Sequence, residues 1–197
     1  MTQDPSRATH LAAPSILRTH KFILAMAYAP TIISTEYIDK CLEKDEPVNP
    51  EDFLLQDKAN EKRFHISLAQ SQKRAEENRN QLFRGQTMYC VENIQGGFDT
   101  YRSIIEANGG HCNSYRGRPG TMVPSRRGSS DASTTDEAAQ AEVFLISGKA
   151  KEQARLWSRF RQMAEGSRKV PRIVRSEWLL ESAMAQQILP VGSHELR

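Results

Sequence analysis

Two short stretches, PTIISTEYI at 30–38 and PRIVRSEWL at 171–179, are versions of one unit. Proline, isoleucine and glutamate are identical between them, and Ile33/Val174, Thr35/Ser176, Tyr37/Trp178 and Ile38/Leu179 are conservative pairs. Each has the grammar of a short β-branched strand, a Ser or Thr cap, then an amphipathic helix with an aromatic on its apolar face. Thr35 and Ser176 are the expected N-caps. Glu36 and Glu177 follow in the first turn, where a carboxylate suits the positive end of the helix dipole. Tyr37 and Trp178 are expected in the core. A helix is expected before each copy, at 19–28 and 150–164. A chain built from two copies of helix, strand, helix is confined to the α/β class and to two repeats.

The second copy extends backwards. QTMYCVENI (86–94) has strand character, and FDTYRSIIEANGG (98–110) is a helix with Tyr101, Ile104 and Ile105 on one face. Gly109 and Gly110 stop it, because glycine accepts the left-handed cap. HCNSY (111–115) and EVFLISG (142–148) are further strands, the latter apolar enough to be buried. The second unit is thus β-α-β-β-α-β-α over 83–197.

Residues 51–82 are charged, with helical character at 67–82, and are expected to be an inter-domain linker with one helix. Residues 116–141 are rich in Gly, Pro, Ser and charge. They bury too little apolar surface to offset their ordering entropy, and a disordered insert is expected there. Within it, SRRGSSD offers Ser129 or Ser130 to a basophilic kinase, or is a solvated loop.

Composition removes several classes. Hydrophobic residues make up 38% and charged residues 26%, with a net charge of +3, as in a soluble globular protein with some loose segments. No apolar run approaches the ~20 residues a membrane span needs. MTQDPSRATH resembles neither a secretion signal nor a transit peptide. Cys41, Cys90 and Cys112 are widely spaced and odd in number, so a reducing compartment is expected, with no metal site and no cofactor. No G-x-S-x-G elbow, P-loop, H-E-x-x-H or G-x-G-x-x-G is present, so an enzyme is not expected.

One local feature runs against the rules. In ILRTHKFIL, Arg18, His20 and Lys21 crowd the start of an apolar helix, where acidic residues are favoured. With Thr19 as cap, Arg18 and Lys21 lie three apart and reach one side of the helix start. Free N–H groups and two cations there make an anion site. The alternative is an ordinary solvated helix end.

Strand, helix, NGG, strand, strand, helix, then P-x-I-V-x-S-E-W-L with Trp178 as its aromatic, resembles the tandem BRCT repeat proteins. RTHKF resembles the phosphate-binding helix of the first repeat in phosphopeptide-reading pairs. The 51–82 stretch resembles their linker. The likeness is to the C-terminal pair of fungal multi-BRCT genome-maintenance scaffolds. It implies two repeats, each a small parallel sheet flanked by helices, packed through a helical interface. The first, at 9–50, would lack its N-terminal half, because only eight residues precede Thr9. The family's Ser/Thr hydroxyl and Gly N–H on the first strand have no counterpart here.

By resemblance, Lys21 contacts phosphate, and Arg18 contacts peptide backbone or a free carboxylate. Asn93, Ile94 and Gln95 would grip the third residue after the phosphoserine, or else form a plain strand-to-helix turn. The implied function is a phosphoserine-peptide-binding scaffold of the nuclear DNA-damage response. Its partners would be a phosphorylated protein or histone tail and other repair proteins. The alternatives are a phosphate-independent adaptor, and a DNA-backbone binder using Arg116, Arg118, Arg126 and Arg127.

Overall fold

The repeated stretches both fold as strand then helix. The computed structural model describes residues 4–117, 141–148 and 151–197. In chain order its elements are β1 (His10–Ala13), α1 (His20–Met26), β2 (Thr31–Ser34), α2 (Glu36–Lys44), α3 (Lys58–Phe64), α4 (Leu68–Asn78), β3 (Thr87–Val91), α5 (Phe98–Ala107), β4 (His111–Tyr115), β5 (Glu142–Ser147), α6 (Lys151–Gly166), β6 (Val170–Arg175) and α7 (Ser176–Ala185). They form two compact units: Met1–Leu82 with Leu180–Ile188, and Phe83–Leu179 with Leu189–Arg197. The expected insert lies almost wholly outside the described residues, as do Ser129 and Ser130.

The repeat continues past the sequence pattern that reveals it. A short 3-10 turn comes after each strand–helix pair, at Pro50–Phe53 and Gly192–His194, and the chain then returns to its own strand. Ile33 bridges Leu54 and Val174 bridges Glu195, both antiparallel. Leu55 N donates to Ile32 O at 3.0 Å, and Leu196 N donates to Ile173 O at 2.8 Å. Ile32/Ile173 and Ile33/Val174 are equivalent positions, so both copies place the same bond at the same step. The returning segment covers part of the outer edge of β2 and of β6, which otherwise presents unpaired backbone groups.

Of the two expected caps, Thr35 holds the N-cap position of α2 and Ser176 does not hold that of α7. Thr35 is already helical (φ −61, ψ −21) and makes no side-chain cap bond, whereas Ser34 Oγ accepts from Glu36 N at 3.3 Å. Ser176 is the first residue of α7 itself, and its hydroxyl lies 3.4 Å from Glu177 Oε2. In the first copy the strand turns into the helix without the extended cap residue that the pattern assumes. Tyr37 is half-buried, edge-on to Phe53 with centroids 5.8 Å apart, so it is not a core residue as Trp178 is.

In the second unit four parallel strands run in the order β4-β3-β5-β6. Alternation along β5 explains its unbroken apolar run. Val143 and Leu145 join Tyr89, Tyr115, Phe160 and Ile173 in one cluster. Phe144, on the other face, stacks on Trp178 at 4.8 Å and 10°. A sheet covered on both faces needs apolar residues at every step. Helix α5 ends in a Schellman motif: Gly109 N donates to Glu106 O and Gly110 N to Ile105 O, both at 3.0 Å. The two glycines serve different ends. Gly109 supplies φ +76, whereas a Cβ on Gly110 would meet Ile105 Cγ2 at 2.7 Å and Phe83 Cβ at 2.9 Å.

The first unit has a two-stranded parallel sheet, β1 with β2, and a helix, α1, that buries Phe22, Ile23, Ala25 and Met26. The 51–82 stretch carries two helices where the pattern marks one. Asp57 starts α3, its side chain accepting from Asn60 N at 3.1 Å, and left-handed His65 ends it. Helix α4 stops at left-handed Arg79, short of the expected Leu82.

All three cysteines are free thiols. Burial raises the Cys90 thiol far above its ordinary range and pushes Cys112 up to about 12. Cys41 is half-buried on α2. Only the thiolate attacks, so iodoacetamide at pH 8 is expected to label Cys41 first and to reach Cys90 and Cys112 only in denaturant, as peptide mass mapping would show. Early labelling at Cys90 would place that strand at the surface. Among the described residues, no group of His, Cys, Asp or Glu is arranged to hold a metal ion. No described helix is long and apolar enough to cross a membrane.

Candidate functional site

The basic stretch does begin a helix. Thr19 is extended (φ −85, ψ 153), and its Oγ1 accepts from Phe22 N at 3.4 Å. No acidic residue occupies the first turn of α1. Lys21 is exposed there. Arg18, one residue before the cap, places Nη2 3.4 Å from Glu181 Oε1, with both side chains 29% exposed. A pair at that exposure adds little stability, but it restricts where the guanidinium points. The helix start is thus a positive locus with one cation ion-paired and one exposed.

A hollow of about 550 Å³ opens beside it, between residues 15–19 and α3. Arg18 and Thr19 line one wall, and Asn60, Arg63 and Phe64 line the other. Asp57 ties the walls together. Its Oδ2 accepts from Ile16 N at 2.9 Å and from Asn60 Nδ2 at 2.7 Å, and these bonds, led by that to the Asn60 side chain, hold its carboxyl below the ordinary range. Lys21 is not among the lining residues; Arg63 is. Sequence reasoning missed Asp57, Asn60, Arg63 and Glu181. The first three had a signal: an Asp cap followed by Lys62 and Arg63 in the last turn marks a short helix. Glu181 had none, being separated from Arg18 by most of the chain.

Asn93, Ile94 and Gln95 fall in the second unit, in the turn from β3 to α5. Their backbone is well occupied. Asn93 O accepts from Gln153 Nε2 at 3.2 Å, Ile94 O from Gly97 N at 3.0 Å, and Gln95 O from the Tyr101 hydroxyl at 2.8 Å. The side chains of Asn93 and Gln95 are exposed, whereas Ile94 is 5% exposed and can offer a ligand no side-chain surface. Gln153 also accepts from Gly148 N at 2.7 Å and lies 3.0 Å from Ser147 Oγ, which accepts from Trp157 Nε1 at 2.9 Å. The turn is therefore held from the core outwards. Of the arginines expected for a DNA-backbone contact, Arg116 is exposed and ion-paired with Glu92. Arg118, Arg126 and Arg127 lie outside the described residues.

The parallel sheets flanked by helices match the architecture of solved tandem BRCT structures. Residues 1–55 match the family described as Regulator of Ty1 transposition protein 107 BRCT domain. The chain is 27% identical over 194 residues, 95% of its length, to BRCT-containing protein 1 of Schizosaccharomyces pombe. It spans 21% of that relative. It is 29% identical over 110 residues to PAX-interacting protein 1 of Bos taurus, covering 56% of this chain and 11% of that protein. Among solved structures, the BRCT5-BRCT6 domains of S. pombe Brc1 superpose with a TM-score of 0.72 at 27% identity, covering 98% of this chain and 84% of that one. Rtt107p, solved in complex with a phosphorylated histone, shares the fold with a TM-score of 0.66 at 19% identity, covering 96% of this chain and 76% of that one. The chain is thus similar to the BRCT pairs of fungal multi-BRCT scaffolds.

Proposed function

We propose that the chain is a phosphoserine-peptide-binding module of a nuclear DNA-damage-response scaffold, acting by recognition without catalysis. The observation that carries this is the start of α1: capped by Thr19, free of acidic residues and flanked by Arg18 and Lys21. Lys21 takes the phosphate as a point charge, for which a flexible exposed ammonium is suited. Arg18, oriented by Glu181, takes the peptide backbone or a carboxylate. The likeness to BRCT-containing protein 1 supports the scaffold role, and the complex of Rtt107p with a phosphorylated histone supports a phosphorylated histone tail as target. Asn93 and Gln95 are the accessible members of the proposed second contact. The repeats are assigned to 9–50 and 83–197.

Titrating matched phosphorylated and plain peptides tests this. The phosphopeptide is expected to bind the tighter, and Lys21→Glu to weaken it by at least roughly tenfold, since a charge-assisted hydrogen bond contributes ~1.5–3 kcal/mol. Lys21 is exposed, so its loss leaves the melting temperature unchanged. Equal affinity for both peptides overturns the reading in favour of an adaptor. Binding to plain duplex DNA with a steep salt slope favours the DNA reading.

A further inference from the structure

We infer that the pocket between α3, α4 and the segment returning to β2 is a docking site for a basic peptide segment with one apolar anchor. A pocket of about 250 Å³ opens there, its apolar lining made by Ile32, Leu54, Leu55, Leu68 and Ala69. That volume falls below the roughly 300–1,000 Å³ of small-molecule and cofactor sites and suits a single aliphatic or aromatic side chain. Leu54 is 49% exposed, one of three large apolar side chains left in water among the described residues. At the equivalent bridge position the other copy has Glu195, so the bridge itself does not call for a leucine. The walls are already fixed. Leu55 N donates to Ile32 O at 3.0 Å, Leu68 N to Glu61 Oε1 at 2.6 Å, and Gln72 Nε2 to Pro30 O at 3.1 Å. An anchor entering a pocket held this way orders little of its host. Filled pockets of this kind are where binding energy at interfaces concentrates.

Charge selects the partner. Asp57 and Glu61 line the pocket with Lys58. Glu51 and Asp52, both exposed, stand just before Leu54. Helix α2, whose Tyr37 packs edge-on to Phe53, adds the exposed carboxylates Glu36, Asp39 and Glu43. Over 36–52 seven carboxylates against two lysines leave a net charge of −5, in a chain whose total is +3. The fold does not demand this. The equivalent stretch of the other copy, 177–193, carries two carboxylates and neither lysine nor arginine. An apolar side chain flanked by lysines or arginines finds a rim that attracts it and a pocket that sets its register, whereas an acidic segment is repelled. The site uses neither Arg18 nor Lys21 and stands apart from the phosphopeptide reading.

The test uses the full chain and three fluorescein-labelled, unphosphorylated peptides. The first has a central phenylalanine between alanines, with a pair of lysines at each end. The second has alanine at the centre, and the third keeps the phenylalanine but has glutamates for lysines. By fluorescence anisotropy at low salt, the first is expected to bind at least roughly tenfold tighter than either of the others, and to weaken as salt rises. Ala69→Phe, at an exposed position of α4, fills the pocket and should bring the first peptide down to the level of the second. Glu51→Gln with Asp52→Asn should weaken both lysine peptides and lessen their salt dependence. These residues are exposed, and an unchanged melting curve separates lost docking from lost folding. Lys21→Glu should leave all three peptides as they were, so this site can stand or fall without the phosphate reading. No preference for phenylalanine over alanine, equal binding of the glutamate peptide, no loss in Ala69→Phe, or loss in Lys21→Glu overturns the inference. A dimer in sedimentation that Ala69→Phe disperses would assign the pocket to a second copy of the chain and overturn the basic peptide as its occupant.

Discussion

Trp178→Ala is expected to destabilise the second unit by about 3–5 kcal/mol, the usual cost of emptying a buried aromatic site. Three losses combine. The side chain is 0% exposed, so the whole transfer energy is forfeited. Phe144 loses its stacking partner at 4.8 Å. Leu189 O, which accepts from Trp178 Nε1 at 2.8 Å, loses its donor. Against a domain stability of roughly 5–15 kcal/mol this is a large fraction. Trp178→Phe should cost less, because the ring remains and chiefly the hydrogen bond and some volume are lost, worth ~1–3 kcal/mol. Urea titration followed by the fluorescence of Trp157, which sits in the cluster on the other face of the sheet, reports the unfolding of either variant. An unchanged midpoint for Trp178→Ala would show that the repeat's aromatic does not hold the core.

The prominence of Trp178 in the sequence and in the structure has one cause. Residues whose environment is set by neighbours a few positions away leave periodic traces. The β2–α2 and β6–α7 copies, the apolar run of β5 and the glycine stop after α5 are all of this kind, and the strand and helix positions followed from them. The tertiary closures left no such trace. The returning bridges at Leu54 and Glu195 are single backbone pairings, which impose no side-chain pattern. Equivalent copies diverged as well: Trp178 is fully buried while Tyr37 is half-buried, because each meets a different neighbourhood. At the site, the anomaly of cations at a helix start was visible in the chain and pointed to Arg18, Thr19 and Lys21. The opposite wall was not, because Arg63 stands in a charged stretch where one more arginine carries no signal. Its meaning comes from Asp57, which brings residues 15–19 beside α3 through a bond to Ile16 N.

Amide hydrogen exchange should divide the chain into a slow and a fast half. In the second unit every residue of β3 is buried, and that strand is hydrogen-bonded on both sides, to β4 and to β5. In the first unit β1 pairs with β2 alone among the described residues, and only Ala13 of its four residues is buried. Two strands are marginal by themselves in water, so the β1–β2 sheet depends on α1 and the neighbouring helices for its cover. Regions with few buried contacts open sub-globally at lower free energy than the global transition. Amides of β1, α1 and β2 are expected to exchange at least roughly a hundredfold faster than those of β3 and β5, a gap of ~3 kcal/mol. A ligand that binds only the folded first unit must narrow that gap. A phosphopeptide at a hundred times its dissociation constant adds ~2.7 kcal/mol to the state it binds, so protection should rise across α1 and β2 while β3 and β5 stay as they were. The same addition to Lys21→Glu should leave the fast half fast. Uniform slow exchange in the free chain would mean that both units unfold as one, and ligand protection confined to β3 and β5 would put the binding site in the other unit.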